Sequence, residues 1–198
     1  MSTSADRIVV ALMGLPGAGK TTIARALERE LALRRICRDA IRAAMFPTCS
    51  YTRMEKRAAF RGVLMALEIN CVLGAPSVLD GMTFARRKDF DAVAATAAQH
   101  GHAVLPLLVE CRPSLARLRI ERDVARGSHP AGDRLPALVD AMTTRFDAPP
   151  EGTLRIDGEA PSAQMCAQAL LVVNAWRSGR SAQAQGPVAA SDPAGSVA

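Results

Sequence analysis

The chain contains 198 residues, of which 49% are hydrophobic, so it is long enough to bury the core of a single domain. No apolar run approaches the roughly 20 residues of a transmembrane helix, and the first residues lack a secretory pattern; both features argue against a membrane or secreted protein and favour a cytoplasmic one. The net charge of +6 suits anionic partners, either ATP or nucleic acid, whereas the aromatic content of 4% argues against an extended base-stacking surface.

Strands and helices are predicted to alternate along the chain. Strands are expected at short apolar runs, and helices where apolar residues recur every three or four positions. The predicted strands span residues 8–13, 34–38, 77–80, 103–109 and 153–157. The predicted helices span residues 22–33, 39–46, 53–73, 84–100, 114–126, 135–146 and 162–176. Pro106 indicates an irregularity or an edge position in the fourth strand, and residues 178–198 are predicted to form a disordered tail.

The loop after the first predicted strand carries the most specific motif in the chain. Residues 14–21 match G-x-x-x-x-G-K-[ST], and they stand between a strand and a helix, as the phosphate-binding P-loop requires. In such a loop, backbone N–H groups and the helix N-terminus bind phosphate oxygens, the lysine reaches the β- and γ-phosphates, and the hydroxyl ligates Mg²⁺. We therefore expect ATP with Mg²⁺ to be bound by Gly14, Gly17, Ala18, Gly19, Lys20, Thr21 and Thr22.

The alternation predicts an α/β fold, a P-loop NTPase three-layer sandwich. Its sheet is expected to be mostly parallel and five-stranded, with helices on both faces. One kinase domain is predicted over residues 1–177, with a helical lid at about residues 119–135. Because ligands bind beyond the carboxyl ends of parallel strands, the residues that follow each strand are the candidates for a site.

Two aspartates follow the second and third predicted strands. Asp39 can orient or deprotonate an acceptor hydroxyl, while Arg42, three residues later on the same helix face, steadies a phosphoryl oxygen. The alternative is that Asp39 only caps the next helix. Asp80 ends a buried strand, where a carboxylate needs a cation or hydrogen-bond donors, and it is expected to hold Mg²⁺ or its water shell. The alternative there is an ordinary Asp-Gly turn.

Several arginines lie on the helix that is predicted to begin the lid. Arg119, Arg122 and Arg126 are spaced i, i+3, i+7, which places them on one helix face. Such a face can close over the triphosphate and neutralise charge on the transferred group. We expect Arg119 to contact the nucleotide and Arg122 or Arg126 to act in catalysis. The alternative is a solvated helix with acidic partners.

Four segments carry a resemblance to a known group of enzymes: GLPGAGKTT, CRDAIRAAMF, SVLDGMTFARRKDF and RIERDVARG. They are similar to P-loop kinases that include polynucleotide 5′-hydroxyl kinases, chloramphenicol phosphotransferases, zeta-type toxins and many bacterial proteins described as predicted kinases. The resemblance spans about residues 7–176. It implies Asp39 as the general base, Arg42 as a phosphate-aligning residue, Asp80 as the aspartate after the third strand, and one catalytic lid arginine. Residues 80–83 depart from the Asp-x-Asn/Thr pattern of that group.

These residues predict a kinase that moves the γ-phosphoryl group of Mg-ATP to a hydroxyl group. A small-molecule acceptor is preferred, because nothing forms an aromatic track for nucleic acid. One alternative is a polynucleotide 5′-hydroxyl kinase, which the Arg-Asp-x-x-Arg segment and the basic charge favour. The other is an ATPase or nucleotide switch that acts with a protein partner and transfers phosphate only to water.

Overall fold

The computed structural model describes residues 7–126 and 135–184. In these residues the strands are β1 (Ile8–Met13), β2 (Arg34–Cys37), β3 (Ser77–Asp80), β4 (Ala103–Glu110) and β5 (Leu154–Asp157). The helices are α1 (Lys20–Leu31), α2 (Arg38–Met45), α3 (Arg53–Val72), α4 (Arg87–Gln99), α5 (Pro113–Ala125), α6 (Ala137–Thr143) and α7 (Ser162–Ala184). The strands form one sheet in the order β2-β3-β1-β4-β5, and all neighbouring pairs are parallel.

Helices cover both faces of this sheet, which confirms the predicted α/β sandwich. The even-numbered residues of β1, such as Val10, pack with α1 and α7. The odd-numbered residues, such as Val9, pack with α3 and α4. Because successive side chains of a strand point to opposite faces, a central strand covered on both sides must be apolar throughout. This explains why β1 is an unbroken apolar run and why its carboxyl end, where the P-loop begins, is firmly anchored.

The fourth strand corrects one prediction. β4 lies between β1 and β5, so an edge position for Pro106 is wrong. Pro106 is paired with Ala11 of β1, whereas pairing with β5 begins one residue later, at Leu107. A proline, which lacks an N–H donor, is tolerated where the ladder on one side has not yet begun.

The last helix corrects another prediction. α7 continues to Ala184, so residues 178–184 of the expected disordered tail are helical. The Arg180 guanidinium lies 5.1 Å from the centroid of the Trp176 ring, one turn earlier, and extending an existing helix costs much less than nucleating one. Residues 185–198 lie outside the described part of the chain. No helix in the described ranges, α7 included, has the length and hydropathy needed to span a bilayer.

The predicted lid is only partly described. α5 carries its first half and packs on α6 through Ala116, Ile120 and Val139. Residues 127–134, where the two helices connect, lie outside the described ranges.

A buried histidine before β4 predicts that the stability of the fold depends on pH. The side chain of His102 is buried, and burial lowers its pKa, which favours the neutral imidazole in the native protein. Below about pH 6.5 the unfolded chain therefore takes up a proton that the native state does not, and stability falls as the pH is lowered. We expect the free energy of unfolding in urea to fall less for H102Q than for the parent protein when the pH is lowered from about 7 to about 5. The difference between the two proteins should be at most about 1.4 kcal/mol per pH unit. Equal losses in the two proteins would contradict this assignment.

Candidate active site

The P-loop joins the end of β1 to the start of α1 with very little space around it. Gly14 and Gly17 have φ values of +124° and +83°, in the region that favours glycine. A Cβ on Gly17 would lie 2.4 Å from the carbonyl oxygen of Ala116 in α5. The loop backbone is thus pressed against its neighbours, and only glycine fits. This tight path carries the main chain from β1 to the N-terminus of α1, where the amides of a P-loop meet phosphate.

This close approach predicts a specific cost for a single methyl group. G17A adds a Cβ to a residue with positive φ and also makes that Cβ collide with the backbone of α5. The positive φ alone costs about 1–2 kcal/mol, so we expect G17A to lower the free energy of unfolding by more than this amount. Gly152 is the matched control, because its φ is +72° and a Cβ there meets nothing within 4 Å. G152A is expected to cost only about 1–2 kcal/mol in denaturant unfolding. Equal losses for G17A and G152A would show that the P-loop is not sterically confined.

Lys20 is folded back onto the P-loop. Its ammonium donates to the carbonyl oxygens of Gly14, at 2.8 Å, and Leu15, at 2.7 Å, and the residue is only 8% exposed. The Leu15 carbonyl also accepts the Ala18 N–H at 3.2 Å. The positive charge is therefore enclosed by the loop that is expected to bind phosphate, where a charged hydrogen bond to an anion is strongest.

The structure brings together Thr21 and Asp80, the two predicted metal ligands. The Thr21 hydroxyl donates to Oδ1 of Asp80 at 2.9 Å, and the Gly81 N–H donates to the same oxygen at 2.7 Å. Asp80 is 1% exposed, and Arg35 of β2 donates to its Oδ2 at 3.1 Å. Asp80 thus makes the local Asp-Gly contact and also reaches the P-loop. The two interpretations of this residue are compatible.

This donor set fits Mg²⁺. Thr21 and Asp80 supply a hydroxyl and a carboxylate oxygen, the hard ligands that Mg²⁺ prefers. No group of three or more His, Cys, Asp or Glu side chains in the described ranges is placed to hold a metal. Mg²⁺ typically takes one or two protein oxygens and completes its octahedron with waters and substrate phosphates. The site therefore suits a cation that arrives with a nucleotide.

Asp39 and Arg42 form an ion pair at the carboxyl end of β2. Arg42 donates from Nη2 to Oδ1 of Asp39 at 2.9 Å, with the side chains 3% and 13% exposed, respectively. α2 begins at Arg38 with Cys37 as its N-cap, so the interpretation of Asp39 as a helix cap is wrong. Oδ2 of Asp39 lies 3.2 Å from where a Cβ on Gly81 would stand. The carboxylate is therefore next to the loop that follows β3.

Tyr51 is a neighbour of this pair that sequence reasoning missed. The Arg42 guanidinium lies 4.6 Å from the centroid of its ring, and the Lys56 ammonium lies 6.0 Å away. Tyr51 has a φ of +56°, and the next residue, Thr52, forms a capping box with Glu55 at the start of α3. The only available signal was that this is the single tyrosine of the chain and stands before a T-x-x-E segment.

The predicted lid arginines have different environments. Arg119 donates from Nη1 to the carbonyl oxygen of Gly158 at 2.6 Å and lies 3.5 Å from that of Gly17. It thus connects the P-loop to the loop that follows β5. Arg122 and Arg126 are exposed near the C-terminal end of α5. The nucleotide contact of Arg119 and the catalytic role of Arg122 or Arg126 stay predictions.

The fold occurs in solved kinase structures. A putative kinase from Chloroflexus aurantiacus J-10-fl is 21% identical with a TM-score of 0.71, and the match covers 88% of this chain and 98% of that one. A gluconokinase from Sinorhizobium meliloti 1021 is 16% identical with a TM-score of 0.68, covering 90% and 98%. An APS kinase from Mycobacterium tuberculosis, in complex with AMPPNP and APS, is 16% identical with a TM-score of 0.59, covering 84% and 95%. At these identities the likeness establishes a common fold.

Family membership follows from the sequence itself. No curated protein matches the chain. A family model described as an AAA domain matches residues 9–149, which is more than half of the chain and includes the P-loop, Asp39 and Asp80. The chain therefore belongs to this AAA domain family, and it has the P-loop kinase-like fold.

Proposed function

We propose that the protein is an ATP-dependent kinase that transfers the γ-phosphoryl group of ATP to a hydroxyl group of a small molecule. The observation that carries the proposal is the juxtaposition at the sheet edge. Thr21 of the P-loop is hydrogen-bonded to Asp80 at 2.9 Å, and Asp39 lies beside the glycine that follows Asp80. A phosphate-binding loop and an acidic group that can accept a proton thus lie at neighbouring strand ends, as phosphoryl transfer requires.

The P-loop supplies most of the groups that would bind the triphosphate. The loop amides and the N-terminus of α1 bind the phosphate oxygens, and Lys20 exchanges its carbonyl partners for the β- and γ-phosphates. Thr21 and Asp80 are the residues that would hold Mg²⁺, which would supply charge neutralisation at those phosphates. Gly14, Gly17 and Gly19 let the backbone approach the phosphates closely.

The transfer itself needs a base and a positive charge. Asp39 accepts the acceptor hydroxyl proton as the new P–O bond forms, and the bond from the γ-phosphorus to its bridging oxygen breaks to release ADP. Arg42 holds Asp39 by its ion pair and is the residue that would align a phosphoryl oxygen beside it. Arg122 or Arg126 supplies charge from the lid.

Solved structures with the same fold support a small-molecule acceptor. Two of them are named for small acceptors, gluconokinase and APS kinase. A polynucleotide 5′-hydroxyl kinase is the second candidate, because the Arg-Asp-x-x-Arg segment is present as the Asp39–Arg42 ion pair. We also propose that the chain is a member of the narrower group of polynucleotide kinases, chloramphenicol phosphotransferases and zeta-type toxins.

The destination of labelled phosphate tests the proposal. The protein is incubated with γ-labelled ATP and Mg²⁺, together with sugars, sugar acids, nucleosides and hydroxylated antibiotics, and in parallel with an oligonucleotide bearing a 5′-hydroxyl. Label on a small molecule supports the first candidate, and label on the oligonucleotide supports the second. Free phosphate alone, at a rate that no acceptor changes, would instead favour an ATPase or nucleotide switch.

A further inference from the structure

Arg35 reaches the proposed Mg²⁺ site at Thr21 and Asp80 from a neighbouring strand. It lies in β2, the edge strand beside β3. Its Nη1 donates to Oδ2 of Asp80 at 3.1 Å, and its Nε donates to Oε2 of Glu28 on α1 at 3.1 Å. The guanidinium therefore bridges the end of β3 and the helix that follows the P-loop. Its planar fork of donors thus contacts a buried carboxylate and an exposed one.

The two carboxylate oxygens of Asp80 therefore have different partners. Oδ1 accepts from the Thr21 hydroxyl and the Gly81 N–H, whereas Oδ2 is occupied by Arg35. A buried carboxylate is costly without a charged partner, and Arg35 provides one. At the same time the guanidinium places a positive charge at Oδ2, which disfavours the approach of a second cation to that oxygen. Only Oδ1 faces the P-loop hydroxyl.

We propose that Arg35 is a positioning residue that restricts Asp80 to one oxygen toward the cation, and thereby selects Mg²⁺ over larger divalent ions. This inference rests on the proposed binding of Mg-ATP. Mg²⁺ requires near-ideal octahedral coordination with short bonds, and a single carboxylate oxygen from the protein can be enough. Ca²⁺ takes more ligands and often binds a carboxylate through both oxygens. A carboxylate with one oxygen sequestered therefore disfavours Ca²⁺.

The contact with Glu28 gives the proposal a matched control. The Glu28 side chain is 46% exposed and meets Arg35 at the surface, whereas the Asp80 side chain is fully buried. Exposed ion pairs contribute little, so E28Q should leave the bond from Arg35 to Asp80 in place. R35M removes both contacts while keeping the aliphatic volume, and R35K retains a cation that can reach one oxygen.

The test compares binding of Mg-AMPPNP and Ca-AMPPNP by titration calorimetry, at a temperature where each variant is folded by circular dichroism. For the parent protein and E28Q we expect Mg-AMPPNP to bind at least about tenfold more tightly than Ca-AMPPNP, and for R35M we expect that ratio to fall at least about fivefold. R35K is expected to restore most of the ratio. If R35M does not fold, R35Q, which is too short to hold Oδ2, takes its place.

The ratio separates positioning from a merely structural role. A general loss of stability weakens both complexes equally and leaves the ratio unchanged, so an unchanged ratio in folded R35M or R35Q would overturn the proposal. A parent protein that binds both complexes equally would overturn it as well. If the parent protein binds neither complex, the proposed function fails, and this inference fails with it.

Discussion

Replacing Lys20 by alanine is expected to reduce kcat for phosphoryl transfer by at least about 100-fold. The ammonium lies inside the P-loop on two carbonyl oxygens, at 2.8 and 2.7 Å, and can turn to the β- and γ-phosphates without leaving the loop. The other two lysines of the chain, Lys56 on α3 and Lys88 on α4, lie outside the P-loop. Because phosphoryl transfer depends mainly on positioning and charge stabilisation, nothing replaces this group.

K88A is the matched control for this experiment. Lys88 is exposed in the first turn of α4, so its loss removes the same charge away from the site. Steady-state kinetics with saturating Mg-ATP should leave K88A near the parental rate while K20A loses nearly all turnover. A K20A protein that keeps the parental kcat would contradict the assignment of the P-loop as the site of transfer.

Replacing Asp39 by asparagine is expected to lower kcat by about 100- to 10,000-fold, the usual contribution of a general base. Asparagine keeps the size and one oxygen of the side chain but cannot accept the acceptor proton. Because the proposed role of Asp39 is toward the acceptor and not toward the nucleotide, the affinity for Mg-AMPPNP should stay within a few fold of the parental value. The separation of turnover from nucleotide binding is the signature of this role.

Asp39 also pairs with a nearly buried arginine, so stability must be measured beside activity. D39N leaves Arg42 with a weaker partner and should reduce the free energy of unfolding by roughly 1–3 kcal/mol. D91N is the control, because Asp91 forms an exposed pair with Arg87 at 2.8 Å on α4. D91N should retain activity. A folded D39N with the parental kcat would mean that Asp39 serves only as the partner of Arg42.

The P-loop could be predicted because its information is local. One strand, one loop and one helix supply every residue of the motif, and the glycines report the backbone conformation directly. Asp80 could be selected as a candidate through the rule that ligands bind beyond the carboxyl ends of parallel strands. That rule needed only the positions of the strand ends, which short apolar runs reveal.

Arg35 could not be placed in this way. Its contacts join β2, β3 and α1, and they depend on β2 lying beside β3, an order that the sequence does not state. Two arginines at the start of a short strand were a signal, since charge is unusual beside a buried neighbour strand, but they did not reveal the partner. The same limit applies to Tyr51, whose contact with Arg42 arises from a turn with positive φ.

The extent of α7 shows a different limit. The apolar face that defines a helix ends near Trp176, and the following Ser, Gly, Ala and Gln residues are typical of linkers. Yet alanine, arginine and glutamine also continue a helix readily once it exists. The contact between Arg180 and Trp176 stabilises that continuation, and a search for apolar periodicity does not detect it.

Direct binding of a magnesium nucleotide tests the central claim, that the loop after β1 holds a triphosphate beside Thr21 and Asp80. Mg-AMPPNP is titrated calorimetrically into the parent protein and into K20A. We expect saturable binding of one nucleotide per chain, lost on chelation of Mg²⁺ and strongly weakened in K20A. An absence of binding heat in the parent protein at several temperatures, or equal affinity in K20A, would contradict the account.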